Sequence, residues 1–222
     1  MIICIGGVLD ANEVNRAFSL LKNARFIDGS TTAGWAARNV KNNLQLIGKG
    51  AEAQQIEGIV QKALARNNLF LSAALPKSIS KVLVSKSLAG MGYGQHVDNA
   101  LMGNPPIRTD IAFTIFLSDN SSYKGGELAI EDLQGEQTYK LRSGEMILYP
   151  ATTLHCVKRV DEGERVVIVG WVQSLVKDSR IREMLYDLDE VRKSLFNESG
   201  NSHNHDLIQK SYSNLLRLHM EI

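Results

Sequence analysis

Two periodicities divide the chain. Early on, apolar positions recur every three or four residues: Val14, Phe18 and Leu21, then Ile56, Val60 and Leu64. Each set falls on one face of a helix. Asp10-Ala-Asn-Glu13 has the form of a capping box, an N-cap acceptor with a glutamate three positions on. A second helix is predicted over 52–66, Pro76 argues against helix at that point, and Asp28-Gly-Ser-Thr-Thr-Ala-Gly34 reads as a loop. From about Lys81 the pattern shortens to β-like runs at 82–85, 111–117, 127–131, 138–141, 146–149, 155–159 and 165–172. Turn-forming clusters such as Arg142-Ser-Gly144 and Asp161-Glu-Gly-Glu164 separate them. Many short, closely spaced strands predict a sandwich or jelly roll rather than βαβ units. After Gln173, Ile181, Met184, Leu185, Leu188, Val191 and Leu195 form a helical stripe. A polar loop is expected over 197–205, then a last helix with Leu207, Ile208, Leu215 and Leu218.

The expected fold is mainly β with flanking helices (α+β). Residues 1–80 form an N-terminal helical flank packed on the core, 81–174 a jelly-roll core, and 175–222 a C-terminal helical extension. The helical stripes are expected to bury within one chain, a homodimer surface being the alternative.

Composition narrows the function classes. The 25 basic and 24 acidic residues nearly cancel, which leaves no broad electrostatic footprint for nucleic acid or anionic lipid. Cys4 and Cys156 are the only cysteines, too few for a disulfide scaffold or a cysteine zinc site. The first ten residues carry no basic leader, and no apolar run approaches the ~20 residues needed to span a bilayer. A cytoplasmic protein, in a bacterium or encoded by a phage and acting in its host, is expected.

The chemistry centres on Tyr93-Gly-Gln-His96-Val-Asp98-Asn-Ala100 and, far downstream, His155. Residues at i and i+2 of an extended segment face the same way, so His96 and Asp98 can reach one ion. A third imidazole from a distant strand completes a facial set of two histidines and one carboxylate, which suits non-haem Fe(II) oxygenases. An isolated His-x-Asp is common by chance. Here glycines at 90, 92 and 94 precede it, and His155 follows a strand and a Tyr-Pro turn in an all-β region.

Arg165 opens the apolar run Arg165-Val-Val-Ile-Val-Gly-Trp-Val172. A charge buried there needs a partner, and a dicarboxylate cosubstrate supplies one through paired guanidinium hydrogen bonds. If a hairpin pairs Arg159 with Arg165, then His155 and Arg165 share a face, offset by four residues or ~13 Å. A one-residue slip would separate them. The alternative partner is a surface acid such as Asp161. Thr114, mid-strand, is placed either to donate to a carboxylate or to bond backbone. Tyr93 and Tyr149 are pocket or core aromatics, Trp35 and Trp171 core anchors, and Cys156 a packed thiol facing away from the metal. His203 and His205 read as solvated loop residues.

At these residues the sequence resembles the PKHD-type hydroxylases, a bacterial and phage branch near the prolyl 4-hydroxylases. The resemblance runs through Lys41-Asn-Asn-Leu-Gln45, Ala73-Ala-Leu-Pro-Lys77, His96-Val-Asp-Asn-Ala100, Gly125-Gly-Glu-Leu128, Leu148-Tyr-Pro150 and Trp171-Val-Gln-Ser174. It implies a double-stranded β-helix core, Fe(II) on His96, Asp98 and His155, and 2-oxoglutarate on Arg165; from their positions rather than from the resemblance, Thr114 and Tyr93 are expected as further cosubstrate contacts. It also implies O2 as oxidant and L-ascorbate as a helper that keeps iron reduced. The expected reaction hydroxylates a C–H bond, of a prolyl or other amino-acid residue, while 2-oxoglutarate is decarboxylated to succinate. A carboxylate ligand fills the position a halogenase leaves for chloride. Rival readings are an oxygenase of a small metabolite and a non-catalytic jelly-roll protein that binds a metal or ligand. Where many relatives read Asn-Arg-Tyr, this chain has Ser85-Lys86-Ser87.

Overall fold

In a computed structural model, residues 1–32, 34 and 37–221 are described; Trp35 lies outside them. The strands Ile111–Phe116, Met146–Pro150 and Val160–Ser174 lie together in a nine-stranded antiparallel sheet. Their apolar runs are buried on both faces. Ile111, Phe113, Ile115, Met146, Leu148 and Ile168 pack against the helices Ala11–Leu21, Ala51–Arg66 and Asn68–Ala74. Residues of opposite parity, including Phe116, Ile147, Val167 and Trp171, meet Leu128 and Ile130 of a second sheet. That five-stranded sheet runs Gly135–Tyr139, Leu128–Asp132, His155–Val157, Gly92–His96, Lys41–Asn42. Two stacked antiparallel sheets with helices on one outer face make the expected α+β jelly roll.

The first helix begins as its sequence dictates. The Asp10 carboxylate accepts from Glu13 N at 2.9 Å and Glu13 accepts from Asp10 N at 3.0 Å, a cap that contributes about 1 kcal/mol. The segment before residue 80 is not purely helical. Ile3–Ile5, Phe26–Asp28, Leu44–Leu46 and Pro76–Ile79 join the large sheet, and Lys41–Asn42 the small one. These strands are too short for a two-residue period to stand out.

Two expectations fail. Asp161–Glu164 is no turn: Val160–Ser174 is one continuous strand, its polar start paired with Tyr123–Gly125. Gly163 takes a φ of +81° there, so turn-type residues serve an exposed strand end instead. The loop expected over 197–205 shrinks to 200–202, between helices Ser179–Ser199 and His203–His219. Gly200 at φ +61° ends one helix and Ser202 caps the next, so the polar residues beside them are helix ends. No described helix is long and apolar enough to cross a membrane.

Candidate active site

His155 and His96 sit directly opposite one another on paired strands of the small sheet. Their ring centroids are 4.3 Å apart. Asp98 follows just past the strand end, and His155 Nε2 lies 3.8 Å from Asp98 Oδ1. One ligand atom from each of His96, Asp98 and His155 lies within 4.8 Å of the others. Backbone carbonyls fix both rings: Gly94 O is 2.8 Å from His96 Nδ1 and Thr153 O is 3.0 Å from His155 Nδ1. A carbonyl only accepts, so each Nδ1 donates and each neutral ring keeps its Nε2 lone pair for a metal.

Burial, then the His155 ring, pushes His96 down to about 4, so it stays neutral at physiological pH. Burial raises Asp98, against the opposing pull of His155, Trp171 and Lys41. Trp171 Nε1 leans on that carboxylate, yet neither it nor Asp98 Oδ2 completes a hydrogen bond. A buried carboxylate oxygen without a donor, beside two oriented imidazoles, fits a divalent cation.

Arg165 reaches the same cavity from the large sheet. It stands opposite Ser87 on the neighbouring strand, so the hairpin from Arg159 to Arg165 does not exist. The two sheets carry His155 and Arg165 to facing walls, and their approach comes from stacking rather than a shared strand pair. Arg165 is 2% exposed, and its Nε has no hydrogen-bond partner. Desolvation lowers its proton affinity against the opposing influence of Tyr123, Tyr149 and Glu127. Asp161, the surface acid considered as its partner, forms no ion pair with it among the described residues. The cavity between holds about 890 Å³ free of protein atoms, counted to its open mouth.

Other candidates fall into place around it. Tyr93 stacks on His96 at 3.6 Å, and burial pushes its phenol up to about 12. Thr114 is buried on the cavity wall, its hydroxyl beside Tyr149. Tyr149 packs edge-on to His155 at 5.1 Å, with burial raising its phenol. Cys156 is buried off the cavity lining, and Trp171 is a cavity residue as well as a core one. His203 and His205 begin a helix away from the site.

Sequence reasoning missed Lys41 as a site residue. It lines the cavity, its Nζ 5.3 Å from the Tyr93 centroid and donating to Thr32 Oγ1 at 3.1 Å. Nothing in its polar surroundings in the sequence marks it. Burial lowers Lys41 from 10.5 to about 8. The fold therefore favours the neutral amine, and the unfolded chain takes up its proton first as pH falls. This stabilisation is present above 10.5, shrinks as pH falls to about 8, and is gone below. Lys41→Met should flatten the pH dependence of the urea midpoint across that window. At pH 7 it should raise stability by about 1–2 kcal/mol, discounted for solvent screening.

The 2OG-Fe(II) oxygenase superfamily pattern matches residues 82–173. A PKHD-type hydroxylase of Synechococcus sp. is 51% identical over 224 residues, covering 100% of both chains. One from Rippkaea orientalis is 49% identical over 98% of each. Among solved structures, a Pseudomonas putida prolyl-4-hydroxylase matches with a TM-score of 0.53 at 15% identity, over 78% of this chain and 92% of that one. A 2OG-Fe(II) oxygenase family oxidoreductase from Burkholderia pseudomallei gives 0.56 at 15%, over 77% and 84%. The structural matches bear on the double-stranded β-helix fold alone. Full-length identity near one half decides the family: this chain belongs to the PKHD-type hydroxylases, Fe(II)- and 2-oxoglutarate-dependent enzymes of the 2OG-Fe(II) oxygenase superfamily.

Proposed function

We propose that His96, Asp98 and His155 hold the ferrous ion and that Arg165 holds the distal carboxylate of 2-oxoglutarate. The observation that carries this is a fully buried guanidinium without an ion-pair partner among the described residues, facing a three-ligand cluster across one cavity. Bound iron and 2-oxoglutarate supply O2 activation and C–H hydroxylation, with succinate and carbon dioxide as co-products. The chain's own part is orientation and exclusion of water. Gly94 and Thr153 aim the imidazoles, Tyr93 braces His96, and the protonated Tyr149 beside Thr114 offers donors on the wall between metal and arginine.

The acceptor is a C–H bond of a prolyl or other amino-acid residue, a reading supported by the prolyl-4-hydroxylase likeness. Ascorbate sustains turnover by keeping iron ferrous. The enzyme works in the cytoplasm, in keeping with two free thiols. Succinate release from 2-oxoglutarate by the purified protein, dependent on added Fe(II), tests the reaction. Absence of release with metal bound would overturn it. A gain of ~16 Da in peptides or metabolites of a lysate identifies the acceptor by its added oxygen.

Gly126 tests the arginine separately. At φ +69°, an added Cβ would stand 3.0 Å from Arg165 Cδ and 3.0 Å from Val160 Cγ2. Gly126→Ala should push the guanidinium aside and raise KM for 2-oxoglutarate roughly 10-fold, with a smaller change in kcat. Steady-state kinetics at saturating metal reads both.

A further inference from the structure

Lys41 is unexplained by the metal or by the cosubstrate. Its ammonium has three donors, and Thr32 Oγ1 is its only acceptor among the described residues. The Thr32 hydroxyl in turn donates to Gln45 and to the Gly29 carbonyl, so Lys41 is left with a single neutral acceptor. The two carboxylates that act on Lys41 are Asp98 and Asp28. Asp28 is exposed and accepts from Ser30 N at 2.8 Å, so water and backbone satisfy it. Asp98 is committed to the ligand cluster.

The charges around the cavity can be counted. The charged side chains among its described lining residues are Lys41, Asp98 and Arg165. A divalent ion on the cluster brings the total to three positive charges, and 2-oxoglutarate removes two. One positive charge is left in a half-buried pocket with no anion beside it. The surplus sits at Lys41, because Arg165 takes the distal carboxylate of the cosubstrate. Lys41 is also next to the reacting centre: its Nζ stands 5.3 Å from the Tyr93 centroid, and that ring stacks on His96. Val97 and Leu101, exposed beside the ligand motif, with Met102 on the cavity lining, leave an apolar rim for the rest of an acceptor.

We infer that Lys41 anchors a carboxylate on the acceptor, so that the compound hydroxylated enters the pocket as a monoanion held close to the metal. This rests on the metal and cosubstrate assignment proposed above. A free carboxylic acid and the C-terminus of a peptide share this chemistry.

The test is calorimetric titration of acetate into protein saturated with Mn(II), as a redox-quiet stand-in, and 2-oxoglutarate. One equivalent of acetate should bind and acetamide should not. Lys41→Met should weaken acetate at least 10-fold, the loss of one charge-assisted contact, and Lys41→Arg should keep most of the affinity. N-acetylglycine binding more tightly than acetate assigns the carboxylate to a peptide end, and the reverse assigns it to a free acid; either supports the inference. It is overturned if acetate does not bind the ternary complex, if Lys41→Met binds acetate unchanged, or if that variant loses 2-oxoglutarate instead. Failure of 2-oxoglutarate itself to bind the Mn(II) protein overturns the reading of the site and this inference with it.

Discussion

His155→Ala is expected to strip the protein of its tightly held metal and to lower 2-oxoglutarate-dependent succinate release by about 1,000-fold or more. Loss of a partner that merely orients a ligand costs 10–100-fold in affinity or activity, and loss of the ligand itself should exceed that. The position is unforgiving. His155 is 3% exposed and its Nε2 is 3.8 Å from Asp98, so no other described side chain stands ready to replace it. Bound metal by elemental analysis and succinate by coupled assay should fall together. A variant that retains one equivalent of Fe(II) and a tenth of the activity would remove His155 from the ligand set.

The triad was legible because its chemistry is local: His96 and Asp98 are neighbours, and His155 is the remaining histidine within the strand-rich segment. What brings them together was not. The pairing of His155 with His96 joins strands about sixty residues apart, and periodicity says nothing about such partners. Arg165 was singled out as a buried charge for a sound reason, its place at the head of an apolar run, and it does line the cavity, but by a different geometry from the one expected. Asp161-Glu-Gly-Glu164 has turn composition, and only its pairing with Tyr123–Gly125 shows it to be strand. The alternation of the core strands was hidden because both faces are buried, Phe113 against helices and Phe116 against the second sheet. Lys41 was invisible for a different reason. Its segment is polar and short, and its burial depends on the sheet that Gly92–His96 builds beside it.

Arg165→Met should separate function from stability in opposite directions. On the proposed assignment the guanidinium would bind 2-oxoglutarate by paired charge-assisted hydrogen bonds, so its loss should raise KM for the cosubstrate at least about 100-fold, or near 3 kcal/mol. In the free protein the same side chain is a burden. It is fully buried, its Nε lacks a partner, and desolvation lowers its proton affinity. A contact with Phe116, whose ring centroid is 5.6 Å from the guanidinium carbon, offsets only part of this. Methionine fills a similar stem volume without the charge, and such replacements of buried ionic groups often stabilise by about 1–4 kcal/mol. For a chain of this size that is an upward shift of several degrees in Tm. Saturating Mn(II) and 2-oxoglutarate should invert the order, because ligand binding stabilises the wild-type protein far more than the variant. Thermal unfolding of both proteins, with and without the pair of ligands, reads the crossing directly. A methionine variant that melts below wild type in both conditions would mean that Arg165 supports the fold on its own account. One that melts above in both would mean that the arginine does not hold the cosubstrate.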